Sequence, residues 1–136
     1  MKRQLLGAAV LALACTSCGN KIYPVSGKVT YKGAPAAGAT VFFQRQGGDP
    51  LNEHMLMGIV QEDGAFELVC GPLGKGAPPG EYDVLIEWKR GANQAKGRPY
   101  KVPDRLQGRY ADLKRPRLHA TIKAETNSLP PFELRD

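Results

Sequence analysis

The chain has 136 residues, 42% of them apolar and 24% charged, with a net charge of +6, three cysteines, 16 glycines and 11 prolines. That length leaves room for one domain with a modest core once targeting residues are set aside. The glycine and proline content excludes a fold built on sustained helices.

The first element in chain order reads as an export signal. Met1, Lys2 and Arg3 form a positive start, and residues 5–14 are an uninterrupted apolar run of 10. A mature membrane span asks for about 20 apolar residues, so this run predicts a signal peptide rather than a transmembrane helix. Leu11-Ala12-Leu13-Ala14-Cys15 places a cysteine where small residues would otherwise mark cleavage. The pattern resembles the bacterial lipobox, in which the cysteine is acylated and becomes the first mature residue. Cys15 is the expected lipidation site, with Cys18 as the alternative. The signal peptide is accordingly 1–14, or 1–17 if Cys18 is used, followed by a lipidated tether over 15–24 and a domain over 25–136. The competing expectation is a cleaved soluble protein in which these cysteines form a disulfide. Acyl chains would hold the chain on a membrane, since each buried methylene adds about 0.8 kcal/mol. Neither cysteine is followed by the aspartate that retains Gram-negative lipoproteins at the inner membrane, so the outer membrane is the expected location.

From residue 25 the pattern becomes that of strands. Seven are predicted, over 25–31, 39–44, 55–61, 65–69, 81–88, 118–123 and 132–134, because apolar and polar residues alternate between clusters of Gly, Pro, Asn and Asp. In the fifth, Tyr82, Val84, Ile86 and Trp88 share a face expected to be core, opposite Glu81, Asp83, Leu85 and Glu87. Asp63-Gly64 predicts a tight hairpin in which both residues take positive φ, and Pro78-Pro79-Gly80 a bend into the fifth strand. Residues 104–110 allow one short helix, with Pro103 before it and Leu106 and Tyr110 four apart. Cys70 closes the fourth strand and reads as a small buried apolar residue, with a disulfide to whichever of Cys15 and Cys18 is not acylated left open.

Three motifs in order carry a resemblance: G-K-V-T-Y-K-G-A-P-A-A-G-A-T-V-F-F (27–43), E-D-G-A-F-E-L (62–68) and P-P-G-E-Y-D-V-L-I (78–86). They resemble the carboxypeptidase regulatory-like, or transthyretin-like, domain, and 103–134 is similar to small bacterial lipoproteins that carry this domain alone. The resemblance implies an all-β, seven-stranded antiparallel β-sandwich. It implies little chemistry, because fold does not fix function. Related hydroxyisourate hydrolases end in Tyr-Arg-Gly-Ser where this chain reads Phe132-Glu133-Leu134-Arg135-Asp136, and in metallocarboxypeptidases the domain only accompanies the zinc-bearing one.

The residue inventory agrees. His54 and His119 are the two histidines, with no ligand spacing for a metal, and no G-x-S-x-G motif occurs. No enzyme activity, cofactor or metal is expected. Trp88 and Tyr82 could form a sugar platform only against their strand phase, which places them in the core. Charge supplies the one lead. Residues 89–117 hold ten basic residues (Lys89, Arg90, Lys96, Arg98, Lys101, Arg105, Arg109, Lys114, Arg115, Arg117) against Asp104 and Asp112, while the rest of the chain after Arg3 is net acidic. A solvated loop accounts for this equally well. The functional reading is an anion-binding surface at Arg105, Arg109, Arg115 and Arg117, with Arg105 and Arg109 on one helical face. Its partner would be an anionic polysaccharide or an acidic envelope protein, lipid headgroups being a further candidate, and the exported address disfavours nucleic acid. The expected function is a non-enzymatic, membrane-anchored binding or structural module. The alternative is a small-ligand carrier or an envelope assembly or stress accessory factor, for which a dimer with a channel between subunits would speak. If the strands alternate in direction, 89–117 lies at the pole opposite the tether.

Overall fold

The computed structural model describes residues 21–49, 53, 56–89 and 104–136. The expected signal peptide, Cys15, Cys18, His54 and the basic residues Arg90, Lys96, Arg98 and Lys101 lie outside them.

The described residues are all-β, arranged as two sheets around one core. In chain order the strands are β1 (Val25–Tyr31), β2 (Ala34–Pro35), β3 (Thr40–Arg45), β4 (Leu56–Ile59), β5 (Ala65–Glu67), β6 (Val69–Cys70), β7 (Gly80–Glu87), β8 (Leu118–Ile122), β9 (Asn127–Ser128) and β10 (Phe132–Leu134), with one 3₁₀ turn at Gly71–Leu73. Each of the seven predicted segments carries strand. Two further strands of two residues each, β2 and β9, were not anticipated, and the predicted fourth strand is split at Leu68 into β5 and β6.

One sheet runs β6-β4-β3-β7-β8, antiparallel throughout. The other is organised on β1. Ser26 faces both Glu67 and Ser128, and Thr30 faces both Pro35 and Glu133, so β1 has partners on both sides. Antiparallel β5 and β2 take one side and β9 and β10 the other. The last two run parallel to β1, which departs from the wholly antiparallel expectation. They can do so because they are not consecutive with β1: the chain between passes through the other sheet, so no tight turn has to join them to it.

The turns follow local chemistry. β1 and β2 are joined by Lys32-Gly33, whose φ values of 49° and 81° are both positive, as a two-residue turn matched to strand twist requires. At Asp63-Gly64 only Gly64 has positive φ (87°). The Gly64 amide donates to the Gln61 carbonyl at 2.9 Å, and the Ala65 amide to Asp63 Oδ1 at 3.0 Å. This turn does not close a hairpin within one sheet. It passes the chain from β4 to β5, which belong to different sheets, and the chain returns at fully buried Leu68 to pair β6 with β4.

The core is aromatic at its centre. Phe43 from one sheet meets Phe66 and Phe132 from the other, with ring centroids 6.5 Å from each. Phe66 stacks on Phe132 at 6.2 Å, and Tyr82 lies 5.9 Å from Phe43. Tyr82, Val84, Ile86 and Trp88 are all buried, as the alternation of β7 predicts, and their burial removes them as a sugar platform. Leu85, on the opposite face beside Phe42, is buried as well.

Candidate functional site at a basic pole

The two ends of the sandwich differ in what they gather. Where the chain enters β1, Tyr23 pairs with Ala77, and Val25 with Asn127. Where β1 ends, Tyr31 sets its ring edge-on to Trp88 at 5.6 Å, and the 104–117 segment closes over that pole. The seven residues of β1 separate these ends by about 20 Å. The described part of the basic segment therefore lies at the pole remote from Lys21 and Tyr23, as alternating strands predict.

Residues 105–110 form consecutive turns, not a helix. The Gln107 amide donates to Asp104 at 3.0 Å and the Arg109 amide to Leu106 at 3.1 Å, and positive φ at Gln107 (55°) and Gly108 (74°) prevents helical propagation. Asp104 organises the loop. Its Oδ1 accepts the amides of Trp88 (2.9 Å) and Leu106 (3.0 Å), and Oδ2 that of Gly108 (3.0 Å). A carboxylate can satisfy several amides in this way because it has about four acceptor positions. Leu106 and Tyr110 are buried beneath the loop, and the Ile86 amide donates to the Tyr110 carbonyl at 2.8 Å.

The four expected arginines consequently do not share a helical face. Arg105 lays its guanidinium over the Trp88 ring, 4.0 Å from the centroid. The Trp88 indole is itself anchored by Nε1 donating to the Ala37 carbonyl at 2.9 Å. Arg109 reaches instead to Asp136 at 3.6 Å and to Gln107 Oε1 at 3.1 Å. Arg117 sits over the Tyr110 ring at 5.6 Å, and Arg115 is exposed. A guanidinium stacked on a ring keeps its N–H edge free to donate, so Arg105 and Arg117 are oriented rather than neutralised. Lys114 and Arg115 make no side-chain ion pair with any described residue.

Asp136 is the counter-charge that the sequence did not flag. Its carboxylate receives the Tyr31 hydroxyl, the Lys32 ammonium and Arg109. The Lys32 and Tyr31 hydrogen bonds hold the Asp136 carboxyl below its usual range, and Asp136 in turn raises Lys32. The legible signal was the Lys32-Gly33 turn, which fixes Lys32 at this end. Glu133, Arg135 and Lys32 border a shallow pocket of about 300 Å³ beside it.

Elsewhere, His119 lies on β8, exposed, with Nδ1 2.9 Å from Asp83 Oδ1. Cys70 is buried, which pushes its thiol upward. Among the described residues, no three His, Cys, Asp or Glu side chains gather as a metal site, and no helix is long and apolar enough to cross a membrane. Comparison of the chain with protein-family models, curated proteins and solved structures returns no match.

Proposed function

We propose that this chain is an exported bacterial lipoprotein, acylated at Cys15 or, failing that, at Cys18, whose transthyretin-like domain is a non-enzymatic binding module of the cell envelope. Its basic pole engages an anionic polysaccharide or an acidic envelope protein. The observation that carries the reading is the placement of Arg105, Arg109, Arg115 and Arg117 at the end of the sandwich remote from Tyr23. A tether leaving at Lys21 then points the cations away from the anchoring bilayer. About 20 Å exceeds twice the Debye length of about 8 Å at physiological salt, so the protein's own headgroups are screened from the pole. A partner across the envelope gap is the better match.

The stacked arginines serve the core as well as the surface, so reversing all four would confound binding with folding. Lys114 and Arg115 are the cleaner probes. Calorimetric titration with dextran sulfate should show affinity that falls with salt, and Lys114→Glu/Arg115→Glu should weaken it by about tenfold, the sum of two modest exposed-charge interactions. Unchanged affinity in the double variant would leave a solvated loop as the account of these charges.

A further inference from the structure

Strand β8 is an edge, and the direction of its unpaired backbone groups follows from the ladder. The Gln46 amide donates to the Glu81 carbonyl and the Ile86 amide to the Tyr110 carbonyl. Odd-numbered residues of β7 therefore turn their peptide groups toward β3, and even-numbered ones toward β8. Tyr82 and Val84 then bond Ala120 and Leu118, their register partners. This leaves the amides and carbonyls of His119 and Thr121 pointing away from β7. Among the described residues β8 has no second strand partner. The Lys123 amide, next in the same phase, is capped by Asn127 Oδ1 at 2.9 Å, so among the described residues the end of the edge is protected and its middle is not.

Beside that edge lies a groove of about 370 Å³, lined by His119, Ala120, Thr121 and the 129–132 segment. Leu129, Pro130, Pro131 and Phe132 give it an apolar wall, and the two prolines have no amide with which to close the edge. On the outer face, Arg117, His119, Thr121 and Lys123 are all exposed, in phase along the strand. No acidic residue occurs from Leu113 to Ala124. Glu81 and Asp83 lie one strand further in, where they already bond Thr121 and His119.

We infer that the β8 edge and this groove bind an extended peptide of alternating acidic and apolar residues, added to the sheet as a further strand. The inference rests on the reading of the domain as a binder of an acidic partner, and it extends that partner's contact from Arg117 at the basic pole along β8 toward Lys123, in a stated conformation. Main-chain bonds go to His119 and Thr121. Apolar side chains on one face of the peptide enter the groove, and carboxylates on the other sit across from Arg117 and Lys123. A second copy of this chain is the poorer occupant. Antiparallel pairing of two β8 edges about Ala120 would set Arg117 of each against Lys123 of the other, and like charges directly opposite destabilise a sheet.

The test uses the full chain in mild detergent and a capped nine-residue peptide alternating glutamate with valine. Amide exchange followed by NMR should find the His119 and Thr121 amides open in the free chain and protected on titration. The same peptide N-methylated throughout, equal in charge but without donors, should protect neither. Lys123→Glu should weaken binding severalfold and Arg117→Glu/Lys123→Glu by about tenfold, each reversal turning a cross-strand attraction into a repulsion. Thermal melts establish that both variants remain folded. Slow exchange at His119 and Thr121 in the free monomer would mean the chain covers its own edge, and concentration-dependent protection would mean a second copy does. Either result overturns the inference, as does equal binding of the N-methylated peptide. If dextran sulfate still binds in any of these cases, the reading of the basic pole stands without the peptide site.

Discussion

Gly27 on β1 faces the Phe66 ring so closely that a Cβ at this position would lie 2.8 Å from both Cε1 and Cζ. That is well inside van der Waals contact, and the ring cannot retreat, since it is packed against Phe43 and Phe132. Gly27→Ala should therefore cost about 1–3 kcal/mol by overpacking, set against a gain of up to about 1 kcal/mol from replacing glycine in a strand. A net loss of about 1–2 kcal/mol is expected. Phe66→Leu removes both ring atoms that Gly27→Ala would strike, at its own cost of about 1–2 kcal/mol. In that background Gly27→Ala should become neutral or mildly stabilising. The coupling between the two changes is then about 2 kcal/mol, measurable by urea unfolding of the four proteins in a double-mutant cycle. Additivity within about 0.5 kcal/mol would show that β1 and β5 do not meet as described.

Trp88→Ala should cost about 3–5 kcal/mol, seen as a large drop in the urea midpoint, because it removes a buried indole and the surface on which Arg105 lies; near-native stability would mean that Trp88 is exposed. Asp136 predicts a pH dependence whose sign is fixed. Its folded pKa is depressed, so its contribution is present above the ordinary value of 3.8 and is lost as pH falls through the lower folded value. Asp136→Asn should abolish a small, salt-sensitive part of the loss of thermal stability below about pH 4, and identical pH profiles for the two proteins would refute this.

Much of the fold was legible because most strands obey one local rule. β7 alternates so regularly that its buried face follows from residue type, and the β3 and β8 faces follow likewise. The exceptions arise where a distant partner decides. Residues 65–69 have a uniform strand pattern, yet the chain changes sheets at Leu68, a choice made by β1 on one side and β4 on the other. Asp63-Gly64 signals a turn, and the same signal serves a passage between sheets as well as a hairpin. Asn127–Ser128 and Ala34–Pro35 are strands only because β1 holds them, and a two-residue element has no period to read. The 104–110 segment has helical spacing at Leu106 and Tyr110, but Asp104 draws the amides of Trp88, Leu106 and Gly108 to itself and the turns follow. At the basic pole the cations were legible as composition. Their orientation was not, since Trp88, Tyr110 and Asp136 come from three separate parts of the chain.

The proposed function stands on an anchor at one pole and cations at the other, and the mature N-terminus tests the first of these directly. Intact-mass and N-terminal fragment analysis of the protein recovered from bacterial membranes should find Cys15, or Cys18, as the first residue with acyl chains attached. Cys15→Ser/Cys18→Ser should release the protein from those membranes. An unmodified N-terminus beyond Cys18 would contradict the account.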